Sequence, residues 1–310
     1  RRNCGESYLP DFTWLTHIIN NCIKRSYFPT KWKMARVSPI PKVVNPTLMN
    51  ELRPISILPV LSKVFEKAVG IQIMSFAKRA SILHEGLSSF RKGYSTTTAL
   101  QGVRDDIRKA MDKGEVTLMV MADFSKAFDT ICFRTTLLKL HKLGFTKPSL
   151  KWLLSYLCDR CQFVQIEDKS SSCQTIAFGI TQGSILGPMI FNLYVSDLKD
   201  VIPASIKCSQ YADDTTLYRH TPGQDLAGGV SLMNNALSEL HSWFKESNLA
   251  LNPDKTKSMM FSTRQMFTRR NLSSFPLLLS AGGKDLERIK NTKFNCLAST
   301  LMRIFFGMNT

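Results

Sequence analysis

The chain has 310 residues, 44% of them hydrophobic, enough for one large or two ordinary domains with a sizeable core, and wholesale disorder is excluded. Lysine and arginine number 41 against 24 aspartates and glutamates, a formal charge of +17 spread along the chain, and that surplus points to a polyanionic partner. There is no run of about 20 apolar residues to span a membrane, Arg1-Arg2-Asn3-Cys4-Gly5-Glu6 is no signal peptide, and eight cysteines without a disulfide rhythm fit a reducing compartment; an intracellular protein of nucleus or cytoplasm, with no membrane partner, is expected.

Residues 11–29 read as a helix with Phe12, Leu15, Ile18, Ile19, Cys22 and Ile23 on one face. Leu61, Val64, Phe65, Ala68 and Ile71 repeat with helical spacing, as do Ala99, Leu100, Val103, Ile107, Ala110 and Met111. Val116 to Ala122 is a continuous apolar run that predicts a buried strand, followed by a helical pattern from Ala127 to Leu143. Pro148 opens a further helix through Leu157. Gln162 to Ile166 and Cys173 to Phe178 alternate like a hairpin joined by residues 168–172. Cys158 and Cys161 form a lone CxxC without the second pair that zinc requires. Pro188 to Leu198 reads as a helix. Two β-like runs, Ser205 to Gln210 and Thr215 to Tyr218, follow. Leu226, Val230, Met233, Leu237, Leu240 and Phe244 predict a helix lying across a sheet rather than a short coiled-coil seam. Strands and helices alternate irregularly, which favours an α+β fold over a strict parallel βαβ fold.

The chemistry concentrates on three acids. Tyr211-Ala212-Asp213-Asp214 lies between the two β-like runs, so adjacent carboxylates are expected at a hairpin tip. They repel unless a cation neutralises them. A solvated turn is the bland alternative, since Asp favours turns, but an apolar strand leads straight into the acids. Asp123 falls where the strand of Val116 to Ala122 stops, a position for a helix cap or for a metal ligand. Together, a strand-end Asp and a hairpin Asp-Asp can line one edge of a sheet. Two divalent ions held about 4 Å apart there could activate an attacking oxygen and stabilise a leaving phosphate. Mg²⁺ is the natural cation for carboxylate oxygens.

These acids belong to an ordered series. Pro39-Ile40-Pro41-Lys42 and Leu52-Arg53-Pro54-Ile55-Ser56-Ile57-Leu58-Pro59 come first, then Phe90-Arg91-Lys92-Gly93-Tyr94-Ser95-Thr96-Thr97. Asp123 to Asp129, Gly179-Ile180-Thr181-Gln182-Gly183-Ser184-Ile185-Leu186-Gly187-Pro188, Tyr211 to Asp214 and Leu251-Asn252-Pro253-Asp254-Lys255-Thr256 follow. In this order the chain resembles the reverse transcriptases of non-LTR retrotransposons, the jockey- and CR1-like LINE elements. The resemblance implies a right-hand fold of fingers and palm, with an antiparallel palm sheet flanked by helices and the thumb missing or rudimentary. It implies RNA-directed DNA polymerase activity with two Mg²⁺ ions, Mn²⁺ as substitute, and an RNA template, a DNA primer and deoxynucleoside triphosphates as partners. Asp123, Asp213 and Asp214 are then the catalytic metal ligands, Asp214 the weakest of them. Lys42 and Arg53 would hold the incoming triphosphate, and Arg91 would assist near the template or phosphates. Phe128 would be the steric gate against a ribose 2′-hydroxyl. Gln182 and Gly183 would face the template and nascent pair, and Lys255 the triphosphate or primer end.

The expected organisation is an N-terminal helical extension at 1–35, fingers and palm at 36–262 and a degenerate C-terminal segment at 263–310. Three departures from the family pattern stand out. Ser89 replaces a glycine and would strain the turn if its φ were positive. Thr181 replaces a proline. After Lys293-Phe294 the ending differs, as in a truncated, frameshifted or decayed copy, which would retain only nucleic-acid binding.

Overall fold

The computed structural model describes residues 12–124 and 127–289. Helix α1 (Thr13–Lys24) is shorter than expected, because the backbone turns left-handed at Ser26 (φ 51°) with Pro29 just beyond. Of its apolar face only Ile19 is buried; Phe12 and Ile18 are exposed. Two strands that no periodicity announces come next, β1 (Met34–Pro41) and β2 (Leu52–Ile57). Helix α2 (Val60–Arg79) buries Phe65, Glu66, Ile73 and Ala77, while Val64 and Ile71 of the expected stripe are exposed. Helix α3 (Thr96–Asp112) opens on a capping box. Thr98 N donates to Ser95 Oγ at 3.1 Å, and Ser95 N donates to Thr98 Oγ1 at 2.8 Å. Its buried residues Leu100, Val103, Ile107, Ala110 and Met111 are those the spacing requires. Strand β3 (Glu115–Asp123) is buried at every position between its two ends.

The single helix expected from Ala127 to Leu143 is broken into α4 (Ala127–Thr130) and α5 (Phe133–Lys142). The cause is competition for carbonyls. Phe128 O accepts from Ile180 N at 2.7 Å and Ile131 O from Gly179 N at 2.8 Å, so neither oxygen closes a further helical turn. Helix α6 (Lys147–Leu157) carries Pro148 in its first turn. The hairpin expected next has a third strand. After β4 (Arg160–Ile166) the chain reverses at Glu167 (φ 50°) into β5 (Lys169–Ser170), then β6 (Gln174–Ile176) rejoins β4 with Gln162 opposite Gln174. Helices α7 (Leu186–Val195) and α8 (Leu198–Val201) precede the hairpin of β7 (Lys207–Tyr211) and β8 (Asp214–Pro222). Helix α9 (Leu226–Glu246), β9 (Lys257–Phe261), α10 (Arg264–Arg269), β10 (Ser280–Ala281), β11 (Lys284–Asp285) and β12 (Glu287–Arg288) complete the order.

These elements form two compact units. The first takes in the residues up to Gly70, Leu137–Ala177 and Gln182–Ile185. Its sheet has β1 between β2, antiparallel, and β4, parallel, with Met34 opposite Cys161. Its core is aromatic: Phe28 stacks on Phe65 at 5.4 Å between ring centres and meets Trp152 and Tyr156 edge-on.

The second unit takes in Ile71–Thr136, Phe178–Thr181 and the residues from Leu186 on. Its sheet has the order β12-β9-β3-β8-β7, antiparallel except where β12 runs parallel to β9. Alternation along β3 feeds two cores. Met119 and Met121 pack with Leu100, Val103, Ile107 and Met111 of α3. Leu118 faces α9, where a Cβ on Gly229 would stand 3.2 Å from its Cδ1. Helix α9 buries Met233, Leu237, Leu240 and Phe244 on this sheet, as expected. Each fully buried side chain of this kind contributes about 1.5–3 kcal/mol, more than a helix cap at about 1 kcal/mol, so packing fixes the site-bearing sheet. Among the described residues no helix is long and apolar enough to cross a membrane. Residues 290–310, with Lys293 and Phe294, lie outside the described residues, as do Ser125 and Lys126.

Candidate active site

The last pair of the β7–β8 ladder is Tyr211 opposite Asp214, so the hairpin loop is the two residues Ala212 and Asp213. Ala212 takes the positive φ (54°) that a loop this tight needs at its first position. The expected tip therefore holds Asp213, while Asp214 is the first residue of β8. On the other side of β8, the register places Asp123 opposite Asp214. The three acids thus meet at one end of the sheet, on neighbouring strands and their turn.

The end of β3 is clasped by residues 251–256. Asn252 N donates to Asp123 O at 2.9 Å, and Thr256 Oγ1 donates to Asn252 O at 2.7 Å. Phe124 forms a bridge with Leu251. The Leu251 to Thr256 block, from which sequence reasoning drew only Lys255, thereby fixes the strand end that carries Asp123.

Burial and mutual repulsion set the charge state. Burial first, then the charges of Asp213 and Asp123, together push the Asp214 carboxyl up to about 7 against the opposing charge of Lys255. Burial also raises Asp123, with Lys255 pulling the other way from 3.6 Å and Asp213 adding to the rise. Asp123, Asp214, Thr215, Asp254, Lys255 and Lys257 line a cleft of about 430 Å³ with Met121, Ala122 and Ile289. Asp213 is not part of that lining.

Phe128 is half-buried and stacks on Phe191 at 4.6 Å between centres, with Phe90 edge-on at 6.4 Å. Arg91 donates through Nη1 to His84 O at 2.7 Å and Leu87 O at 2.8 Å, and its guanidinium lies 4.3 Å from the Tyr94 ring centre. Ser89 escapes the anticipated strain. The positive φ falls on Phe90 (55°), and Ser89 is fully buried, donating to Asn192 Oδ1 at 2.8 Å while Asn192 Nδ2 donates to Ser89 O at 2.6 Å.

Lys42, Arg53, Gln182 and Gly183 belong to the first unit. Lys42 follows β1 and Arg53 lies on β2 opposite Ile40; both side chains are exposed. Gln182 O accepts from Ser56 N of β2 at 2.8 Å. Gly183 has φ +108°, and a Cβ on it would lie 2.3 Å from Ser56 O. Sequence reasoning missed Glu66, fully buried on α2, which accepts from Ser62 Oγ at 2.9 Å, Tyr156 OH at 3.2 Å and Ile185 N at 2.7 Å. The available signal was a serine four residues before an acid in an apolar helix.

Helices packed on a largely antiparallel sheet, with acids at one end of its inner strands, fit a polymerase-type fold. Residues 40–301 match the family model described as Reverse transcriptase (RNA-dependent DNA polymerase), and the chain belongs to that family. The "Probable RNA-directed DNA polymerase from transposon X-element" of Drosophila melanogaster is 31% identical over 257 residues, 81% of this chain and 28% of its own length. Its counterpart from transposon BS is 30% identical over 303 residues, 95% of this chain and 32% of its own. The RNA-directed DNA polymerase from mobile element jockey, also of Drosophila melanogaster, is 27% identical over 83% of this chain and 29% of its own length. The chain thus spans a third or less of these curated relatives. The resemblance to non-LTR retrotransposon reverse transcriptases is borne out. Apo telomerase from Candida tropicalis, truncated from its C-terminal domain, superposes with a TM-score of 0.53 at 13% identity, covering 84% of this chain and 59% of its own; this likeness concerns the fold alone.

Reverse transcriptases generally use divalent metal ions. The donors here suit a hard cation: two half-buried carboxylates whose charge is disfavoured without a counter-ion. Among the described residues no three acid, histidine or cysteine side chains form a ready cage, and Lys255 supplies the counter-charge to Asp123.

Proposed function

We propose that the chain is the RNA-directed DNA polymerase domain of a non-LTR retroelement, adding deoxynucleotides to a primer 3′-hydroxyl on an RNA template. The observation that carries this reading is the register of Asp123 opposite Asp214 beside the Asp213 turn. In this reading the second unit is the palm, and β1 and β2 belong to the fingers. Asp123 and Asp213 would hold two Mg²⁺ ions, or Mn²⁺ in their place, with Asp214 as the weaker ligand. When bound, the ions activate the attacking oxygen and neutralise charge at the triphosphate. Burial and the neighbouring acids raise the Asp214 carboxyl, so its charge depends on a counter-ion. Lys42 and Arg53 would bind triphosphate oxygens, for which a guanidinium fork is well suited. Lys255 would act near the triphosphate or the primer end, and Arg91, which supports the turn before α3, near the template or phosphates. Primer extension on poly-rA/oligo-dT with Mg²⁺ tests the whole reading. Binding of that duplex without extension would favour a decayed, nucleic-acid-binding copy.

Two further results are expected. Phe128→Val leaves room for a 2′-hydroxyl. The kcat/KM ratio of deoxyribonucleotide to ribonucleotide should fall by about 10- to 100-fold; an unchanged ratio in an active variant would reduce Phe128 to a packing partner of Phe191. The +17 charge should make primer–template affinity strongly salt-dependent. With about six or more phosphates neutralised, affinity drops about a thousandfold between about 50 and 200 mM salt, with little dependence on base sequence. A flat titration would assign the charge to something else.

A further inference from the structure

Glu66 is a carboxylate with no exposed surface, on a helix that also buries Ser62, Phe65, Ile73 and Ala77. Such a group is retained only where its oxygens are used, because an unsatisfied buried charge is strongly destabilising. Both oxygens are used. Oε1 accepts from Ser62 one turn earlier, whereas Oε2 accepts from Tyr156 OH and from Ile185 N. Only the last of these bonds reaches the loop Gln182–Ile185, which contains Gln182 and Gly183. At its other end that loop is tied to β2 by Ser56 N and Gln182 O. Ser184, itself buried, hydrogen-bonds the Tyr156 hydroxyl. Behind the hydroxyl, the Arg160 guanidinium stacks 4.2 Å from the Tyr156 ring centre and supplies a positive charge to the same buried region.

We propose that Glu66 is a positioning residue for the polymerase reaction: it pins the far end of the Gln182–Ile185 loop, so that Gln182 and Gly183 are presented to the nucleotide and template in one conformation. The proposal rests on the polymerase reading above. Its geometry does not. A four-residue loop tied at one end to a strand and at the other to a buried carboxylate has few alternatives. Loss of either tie frees the backbone between them.

The test compares the full chain with Glu66→Gln and Tyr156→Phe. Glutamine keeps the shape, but it has one accepting oxygen and an amide that cannot accept from Ile185 N. Tyr156→Phe keeps the ring and removes one donor to Oε2. Hydrogen exchange by mass spectrometry on peptides covering residues 182–185 is expected to accelerate by about tenfold or more in Glu66→Gln and by less in Tyr156→Phe. Peptides from β1 and β4 should stay unchanged. In primer extension the nucleotide KM should rise by about tenfold in Glu66→Gln while kcat changes less than KM. Unchanged exchange at 182–185 in a folded variant overturns the proposal, as does equal loss of protection throughout the first unit. If Glu66→Gln does not fold, Glu66→Asp, which keeps the charge but draws the oxygens back from Ile185 N, takes its place: faster exchange confined to this loop supports the tie and unchanged exchange there overturns it. A wild-type chain that extends no primer would overturn the polymerase reading, and the exchange result would still decide whether Glu66 holds the loop.

Discussion

Asp213→Asn is expected to lower primer extension by at least about a thousandfold, equivalent to about 4 kcal/mol of transition-state stabilisation, while leaving primer–template affinity within about twofold of wild type. Asparagine has the same shape and is as much at home in a turn as aspartate. The Tyr211–Asp214 pair and the positive φ at Ala212 therefore have no reason to change. What changes is charge. Burial, and after it the charges of Asp213 and Asp123, hold the Asp214 carboxyl at about 7, so neutralising Asp213 should lower it while the burial effect remains. The sign of the stability effect follows. A carboxyl with a raised folded-state pKa costs stability as pH climbs from its unfolded value through its folded one. With the folded value lowered, the variant should be as stable as wild type below about pH 4 and equally or slightly more stable at pH 8. Thermal melts at both pH values, run beside extension and duplex-binding assays, separate the cases. A dead variant that melts no lower than wild type places the role of Asp213 in the chemistry. Wild-type extension would remove Asp213 from the site.

Where an element's reason for existing was local, the sequence disclosed it. The run Val116 to Ala122 is apolar but for Thr117 because both faces of β3 are covered, and a doubly covered strand needs no alternation. Helix α3 wears its buried stripe and its Ser95–Thr98 box openly. The meeting of the acids was legible because Asp123 ends an apolar strand and Asp213 and Asp214 close a hairpin, features set by local sequence. What stayed hidden was set by distant partners. Nothing near Ala127 to Leu143 foretells the break at Ile131, since the competing donors are Gly179 and Ile180. The parallel pairing of β1 with β4 joins segments more than a hundred residues apart, and neither alternates cleanly. Helix α2 was misread because a carboxylate and a hydroxyl, Glu66 and Ser62, occupy buried positions that a hydrophobic count assigns to solvent. Ser89 was misread for a related reason: the left-handed residue is its neighbour Phe90, and Asn192, far along the chain, accommodates the serine.

Gly183→Ala should destabilise the protein by about 3–5 kcal/mol, a large share of the 5–15 kcal/mol typical of a folded domain. Two costs add. The backbone at Gly183 has φ +108°, where an L-residue with a side chain pays about 1–3 kcal/mol. The new Cβ would also stand 2.3 Å from Ser56 O, a backbone atom that cannot rotate away. Relief by moving the loop is blocked at both ends, by the Ser56 N to Gln182 O bond and by the Ile185 N to Glu66 bond. Relief by moving Ser56 would disturb β2, where Ser56 pairs with Val37. Gly93→Ala provides the comparison that isolates the steric part. Gly93 also has a positive φ, +86°, but a Cβ there meets nothing within 4 Å. It should cost only the dihedral strain, about 1–3 kcal/mol. Urea unfolding of the two variants with equal m-values reads the difference directly. A Gly183→Ala midpoint well below that of Gly93→Ala is expected. Coincident midpoints would mean that the loop does not press on β2, and that Gln182 is held by something other than this contact.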